Sequence, residues 1–163
     1  MLLGITACDA ESAPKTPADT STLTAPTNTA TRTSDRDAIV IAYKQFWVVL
    51  QSLDEKSETR WDEQLAEVAV NPQLKISLQA ARFQSLNGER TYGEVRARIS
   101  GVEIDGATAK VTDCQDASHS GVADAKTGEH KTVGIARNPV EARLKRHDGT
   151  WKVADINYPG GEC

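Results

Sequence analysis

VRARISGVEIDGATAKVTDC, the run from Val95 to Cys114, alternates with a period of two, and that period points to the fold class. Val95, Ala97 and Ile99 alternate with Arg96 and Arg98. Val102 and Ile104 then lead into Asp105-Gly106, and Ala107, Ala109 and Val111 continue beyond it. Alternation of this kind marks a half-buried strand, and an Asp-Gly pair between two such runs predicts a two-residue hairpin loop. Pairing across it sets Ile104 opposite Ala107 and Val102 opposite Ala109, so the apolar residues share a face. A second hairpin is predicted at Asp148-Gly149. It joins Val140, Ala142 and Leu144 to Trp151 and Val153, and puts Glu141, Arg143, Lys145 and Lys152 on the other face. The polar run from Ser118 to His130 suggests a short strand and a flexible loop, and Pro139 belongs at a strand start or edge.

Upstream the period is helical. Ser34 is placed as an N-cap with Asp37 at the third helical position. Ile39, Tyr43, Phe46, Leu50 and Leu53 then follow at spacings of four, three, four and three, one face of a helix. Val40, Trp47 and Val48 widen the stripe, which suggests burial on more than one side. Asp54-Glu55-Lys56-Ser57 interrupts it. Trp61, Leu65 and Val68 form a shorter second helix. Pro72 suits the first turn of a third, capped by Asn71 and carrying Leu74, Leu78, Ala81 and Phe83 or Ser85. Asn87-Gly88 ends it. Helices first and strands last predict an α+β domain over residues 34–163, with the helices packed on one face of a curved antiparallel sheet.

The first 33 of the 163 residues read differently. Ile5-Thr6-Ala7-Cys8 matches a lipoprotein signal-peptidase box, in which an aliphatic and two small residues precede a cysteine that is acylated and becomes the mature N-terminus. Residues 8–33 form a Thr/Ala/Pro/Ser tether whose one large aliphatic is Leu23. Such a composition cannot offset its ordering entropy by burial, so the tether is expected to be disordered. Residues 1–7 are then a truncated signal-peptide remnant, too short to hold a basic region and a full apolar region. That fits a chain whose true start lies upstream; the alternative is a chance match in a cytosolic protein. No run of eighteen apolar residues occurs, as a membrane-spanning helix would require. The net charge of −4 is dispersed, and no basic face is present for nucleic acid.

Three cysteines are an odd number for an exported chain. Assigning Cys8 to lipid leaves Cys114 and Cys163, either as a disulfide that an oxidising compartment would preserve or as two free thiols.

Arg90-Thr91-Tyr92-Gly93, the strand ending Val111-Thr112-Asp113-Cys114-Gln115-Asp116-Ala117-Ser118, and Trp151-Lys152-Val153-Ala154-Asp155 with the terminal Cys163 resemble uncharacterised actinobacterial secreted proteins and lipoproteins. These are similar in turn to the NTF2-like, cone-shaped α+β superfamily. The resemblance spans most of residues 35–163. It implies the fold, export and a Cys114–Cys163 bridge, but no reaction, because function does not follow from a fold.

Strand parity sets Asp113 beside Ala109 and Val111, and Asp155 beside Trp151 and Val153, on the apolar face. A carboxylate there could act as a proton shuttle, and these two are the catalytic candidates; near strand ends they could equally accept backbone N–H groups or reach solvent. His119, with Asp113 and Asp116 near in sequence, hints at a metal site, but its spacing matches no ligand motif; no metal or cofactor is assigned. The aromatic residues at helical and strand spacing read as core. The expected function is a non-enzymatic extracytoplasmic domain on the cell membrane that binds a protein partner or a small apolar ligand. An isomerase or dehydratase-type enzyme and a homodimerisation module are the alternatives. The expected outcome for the full-length gene product is acylation at Cys8 and processing blocked by globomycin; unprocessed protein in the cytosol would exclude it.

Overall fold

The computed structural model describes residues 29–53 and 57–163, with side chains from residue 35 onward. Cys8, the remnant at 1–7, most of the tether and Asp54, Glu55 and Lys56 lie outside the described residues. Helix α1 (Thr29–Gln51) begins five residues before Ser34, so the expected cap lies inside it. Extending an existing helix costs far less than nucleating one, and Thr, Ala and Arg carry penalties below about 0.7 kcal/mol each. Ile39, Tyr43 and Phe46 are fully buried and Trp47 nearly so. The stripe is narrower than expected, because Ile41 and Val48 on the opposite side are 66% and 57% exposed.

A single 3-10 turn, Glu58–Arg60, leads into α2 (Trp61–Val68), which buries Trp61, Leu65 and Val68 as the spacing required. The Trp61 indole N–H donates to the Leu53 carbonyl at 2.5 Å, tying α2 to the end of α1. Helix α3 (Gln73–Leu86) starts one residue later than expected. Pro72 is its N-cap, and no side chain caps it. Leu78 is buried with Gln73 and Ser77, whereas Phe83 is 66% exposed, since it lies well around the helix from Leu74, Leu78 and Ala81.

Four strands form the main antiparallel sheet: β2 (Ile99–Asp105), β3 (Thr108–Gln115), β5 (Asn138–His147) and β6 (Thr150–Asn157), in the order β2-β3-β5-β6. The first hairpin is displaced by one residue from the sequence expectation. Asp105 pairs with Thr108, Ile104 with Ala109 and Val102 with Val111, so the loop is Gly106-Ala107. Gly106 alone takes positive φ there, and the Thr108 hydroxyl bonds the Asp105 carbonyl at 2.9 Å. The shift preserves parity, so the apolar face survives. At Asp148-Gly149 both loop residues have positive φ, as the tightest hairpins demand, and His147 pairs with Thr150.

A second, two-stranded sheet, unexpected from the sequence, pairs β1 (Glu89–Gly93) with β4 (Ser120–Asp124). Val95 to Arg98 connects it to β2, bridging only at Arg96 and Asp116. Gly93 ends β1 at φ +72°, where a Cβ would stand 1.8 Å from the His119 carbonyl oxygen, so no side chain fits.

The inner face of the main sheet, through Ala109, Val111, Val140, Ala142, Leu144, Trp151 and Val153, packs against α1 in one core. A smaller cluster of Leu53, Trp61, Leu65 and Leu78 joins the helices. The open edge of β6 is covered: Val70 N–H donates to the Val153 carbonyl, Ile156 N–H to Gln73 Oε1, and Lys152 Nζ to the Ala66 carbonyl. Covering an edge removes a template for unwanted strand pairing.

Cys114 and Cys163 form a disulfide across a sequence separation of 49. It pins the C-terminal tail to β3, beside the Arg137 side chain, which bonds the Cys163 carbonyl. Closing a loop of that length is worth roughly 4 kcal/mol in the chain-entropy model. Replacing both cysteines by serine is therefore expected to lower the unfolding free energy by about 2–4 kcal/mol, read as a lower urea midpoint. An unchanged midpoint would contradict a structural role.

Candidate functional site

Asp113 falls where strand parity set it, on the inner face of β3, and is 1% exposed. Its oxygens are both engaged. The Tyr43 hydroxyl donates to Oδ2 at 2.8 Å, and the Arg98 backbone N–H donates to Oδ1 at 2.5 Å. Burial pushes the Asp113 carboxyl above its ordinary value, against the opposing pull of these two donors. Burial, and then the facing carboxylate, push the Tyr43 phenol far above its own range. Tyr43 in turn packs edge-on against Trp47, with ring centroids 6.1 Å apart. The result is a tie between α1 and the sheet inside filled core, and Asp113 lines none of the clefts described below.

Asp155 does not share that face. The pairing shifts between Arg143 and Leu144: Leu144 pairs with Val153, but Arg143 pairs with Asp155. Ala154 is the extra residue, buried like Val153, and the bulge turns Asp155 over to the outer face. There it shares a shallow depression with Lys110, Glu141 and Arg143. Lys110 and Glu141 are 2.9 Å apart in an ion pair. The outer face of the sheet is thus a charged surface rather than an apolar one.

The structure does not bring Asp113, Asp116 and His119 together. Asp116 accepts the Ser118 hydroxyl at 2.7 Å and its N–H at 3.1 Å, and pairs with Arg98 at 2.5 Å. The Ser118 bonds come first among the causes that hold this carboxyl below the usual range. His119 is exposed. Among the described residues, no three His, Cys, Asp or Glu side chains cluster as metal ligands would. His130 stacks on Tyr92 at 3.7 Å, and His147 lies 3.3 Å from Asp148 in the hairpin turn.

A cleft of about 420 Å³ opens on the helical side, at residues that no sequence motif marked. Leu50 and Leu53 at the end of α1, Trp61 of α2 and Ala81 of α3 supply its apolar wall, and Gln84 and Arg90 stand on its rim. The opposite wall is β1, held to α3 by the Thr91 hydroxyl on Gln84 Oε1 at 3.3 Å and to the β4 turn by the Ala125 N–H on the Gly88 carbonyl. Ser85 fixes Glu58 at 2.7 Å, and Lys131 fixes Glu89 at 3.1 Å. Its volume is that of a small-molecule site. Residues from five elements line it, so no local spacing could have announced it.

No protein-family model and no curated protein matches the chain. Among solved structures, it is similar to the intermembrane space region of the chloroplast protein ARC6, 17% identical, over 80% of this chain and 96% of that one, with a TM-score of 0.56. It is also similar to a conserved protein from Planctomyces limnophilus, 15% identical, over 77% and 94%, with a TM-score of 0.51. An NTF2-like protein from Cytophaga hutchinsonii aligns at 18% identity over 74% and 93%, with a TM-score of 0.49. At these identities what is shared is the fold: an α+β domain with helices followed by a curved antiparallel sheet.

The buried pair can be tested by substitution. Tyr43→Phe removes a donor from a buried carboxylate and is expected to cost about 1–3 kcal/mol in urea unfolding. The pH dependence has a definite sign. A carboxyl raised in the folded state favours folding while both states are protonated, and that contribution is lost as pH rises through the raised value. Asp113→Asn should therefore gain stability relative to the parent as pH rises from about 4 to about 8. A relative loss over that range would mean the carboxylate is stabilised by its site.

Proposed function

We propose that this protein is a lipid-anchored, non-enzymatic binding domain of NTF2-like type, held on the extracytoplasmic face of the cell membrane through Cys8. The proposed ligand is a small apolar molecule bound in the helix-side cleft. The observation that carries the binding reading is the contrast between the two sides of the core. The buried Asp113 carboxylate is spent on Tyr43 and Arg98, while an open cleft with an apolar wall of Leu50, Leu53, Trp61 and Ala81 and a polar margin of Glu58, Gln84, Glu89 and Arg90 stands between α1, α2, α3 and β1. An enzyme using Asp113 or Asp155 has less support, since one is enclosed by donors and the other lies among surface charges. A homodimer through the sheet would have to bury Lys110, Glu141, Arg143 and Asp155, at a desolvation cost that apolar contacts do not offset there.

The anchoring half rests on Ile5-Thr6-Ala7-Cys8 and on the Cys114–Cys163 disulfide, a bond that persists in oxidising compartments. Among the described residues no helix is long and apolar enough to cross a membrane. Because α1 takes up residues 29–33 of the expected tether, the 21 residues from Cys8 to Asn28 remain, and they would let the domain range roughly 25 Å from the bilayer.

Native mass spectrometry of the protein from its own membrane should show an acyl mass on Cys8, one disulfide and a bound apolar species. Unacylated protein with three reduced thiols would overturn the reading. For the cleft, Nile red should bind the full-length protein saturably, and Ala81→Arg should weaken it at least tenfold, about 1.4 kcal/mol. Gln84→Trp, which fills the cleft from its rim, serves as a second variant should Ala81→Arg fail to fold. Undiminished dye binding in a folded variant would exclude the cleft.

A further inference from the structure

We propose that the outward side of α3 is a membrane-docking face, with its apolar side chains at the acyl boundary of a bilayer and two cations among the headgroup phosphates. The use of this face in the cell rests on the Cys8 anchor proposed above; its affinity for a bilayer does not. Ile76, Ala80, Phe83 and Leu86 fall within about 120° of arc at 3.6 residues per turn. They stand opposite Leu74, Leu78 and Ala81, the side chains that α3 turns to the core. Ile76, Phe83 and Leu86 are 50%, 66% and 86% exposed. Side chains so placed add little to core packing, and a contiguous apolar surface marks a contact with a protein or a membrane.

Area and charge both favour a bilayer over a second copy of the chain. At these exposures the three side chains offer roughly 400 Å², about half of the 800 Å² that each partner gives to a standard protein interface. Shallow insertion of one helix side into the headgroup region needs no more than such a ridge. The chain carries a net charge of −4, yet α3 holds Lys75 and Arg82 and no acid. These two are seven residues apart, so both border the ridge on its Leu86 side. Both are exposed, and among the described residues neither takes part in an ion pair. Cations bordering an apolar ridge are what an interfacial helix presents, since their long stems reach up to phosphate. Glu58 is held by Ser85, on the opposite side of α3 from Ile76. The acids of α2, Asp62, Glu63 and Glu67, belong to a helix that meets α3 through the core cluster of Leu65 and Leu78. Ala80 also lines the helix-side cleft, so the docking face adjoins the proposed ligand site.

Full-length protein carrying Cys8→Ser, which has no thiol there to acylate, tests the face apart from the anchor. It should sediment with vesicles of phosphatidylglycerol and phosphatidylcholine in equal parts, and bind vesicles of phosphatidylcholine alone about tenfold more weakly. In that background the pair Lys75→Glu with Arg82→Glu should lower partition onto the mixed vesicles roughly tenfold or more. Phe83→Ser should lower it roughly fivefold. All three positions are exposed, so the fold is expected to tolerate the changes. In Phe83→Trp, brominated lipid should quench the introduced indole, because Trp47, Trp61 and Trp151 are each at most 7% exposed. The proposal is overturned by a parent that stays in the supernatant, by Phe83→Ser partitioning like its parent, or by no quenching in Phe83→Trp. A dimer in free solution that Phe83→Ser dissociates would give the face to a second copy, and would overturn it too. Vesicle binding by Cys8→Ser together with an unacylated native Cys8 would refute the anchor and leave the docking face standing.

Discussion

A hydroxyl on the inner face of α1 and a carboxylate on the inner face of β3 meet at 2.8 Å, 70 residues apart in the chain, with almost no exposure left to either. Hydrophobic contact between a helix and a sheet is not directional and would tolerate several rotations of α1. The Tyr43–Asp113 bond would not. Turning α1 by one residue would carry Tyr43 away and leave a buried carboxylate short of a donor, in surroundings where unpaired polar groups are costly. The same carboxylate takes the Arg98 N–H, so it also holds the start of β2 against β3. One side chain thus sets the register of three elements.

This arrangement determines where clefts can open. Tyr43, Phe46, Trp47 and the inner sheet residues fill the space between helix and sheet. Openings lie at the C-terminal end of α1, where α2, α3 and β1 diverge, along its flank at residues 94–97, and at the hairpin end of the main sheet beside Ile104, Ala109 and Leu144. The sheet's other side is charged, and its β6 edge is sealed by the α2–α3 connection. A domain built in this way keeps its interior closed and leaves its clefts at the surface.

Local patterns carried much of this. Alternation at Val102–Val111 and Val140–Val153 marked the strands, and the Trp61, Leu65 and Val68 spacing marked α2. Parity put Asp113 on the inner face correctly. The same reasoning failed for Asp155, because a bulge at Ala154 breaks parity and leaves no sequence mark of its own. It also missed by one residue at the first hairpin, where Gly106 rather than Asp105 begins the loop. Phe83 was grouped with the inner face of α3 although its angle turns it outward. The pairing of β1 with β4 joins segments about 30 residues apart, and no local period encodes it.

The residues alone determined the order of helices and strands, the apolar faces, and a cysteine pair suited to bridging. These follow from periodicity and composition, which act between near neighbours. Tertiary structure decided which carboxylate is enclosed, which is turned to solvent, and where clefts open. Those outcomes depend on contacts between segments far apart in the chain, where a single inserted residue or a helix end moves a side chain from one environment to another.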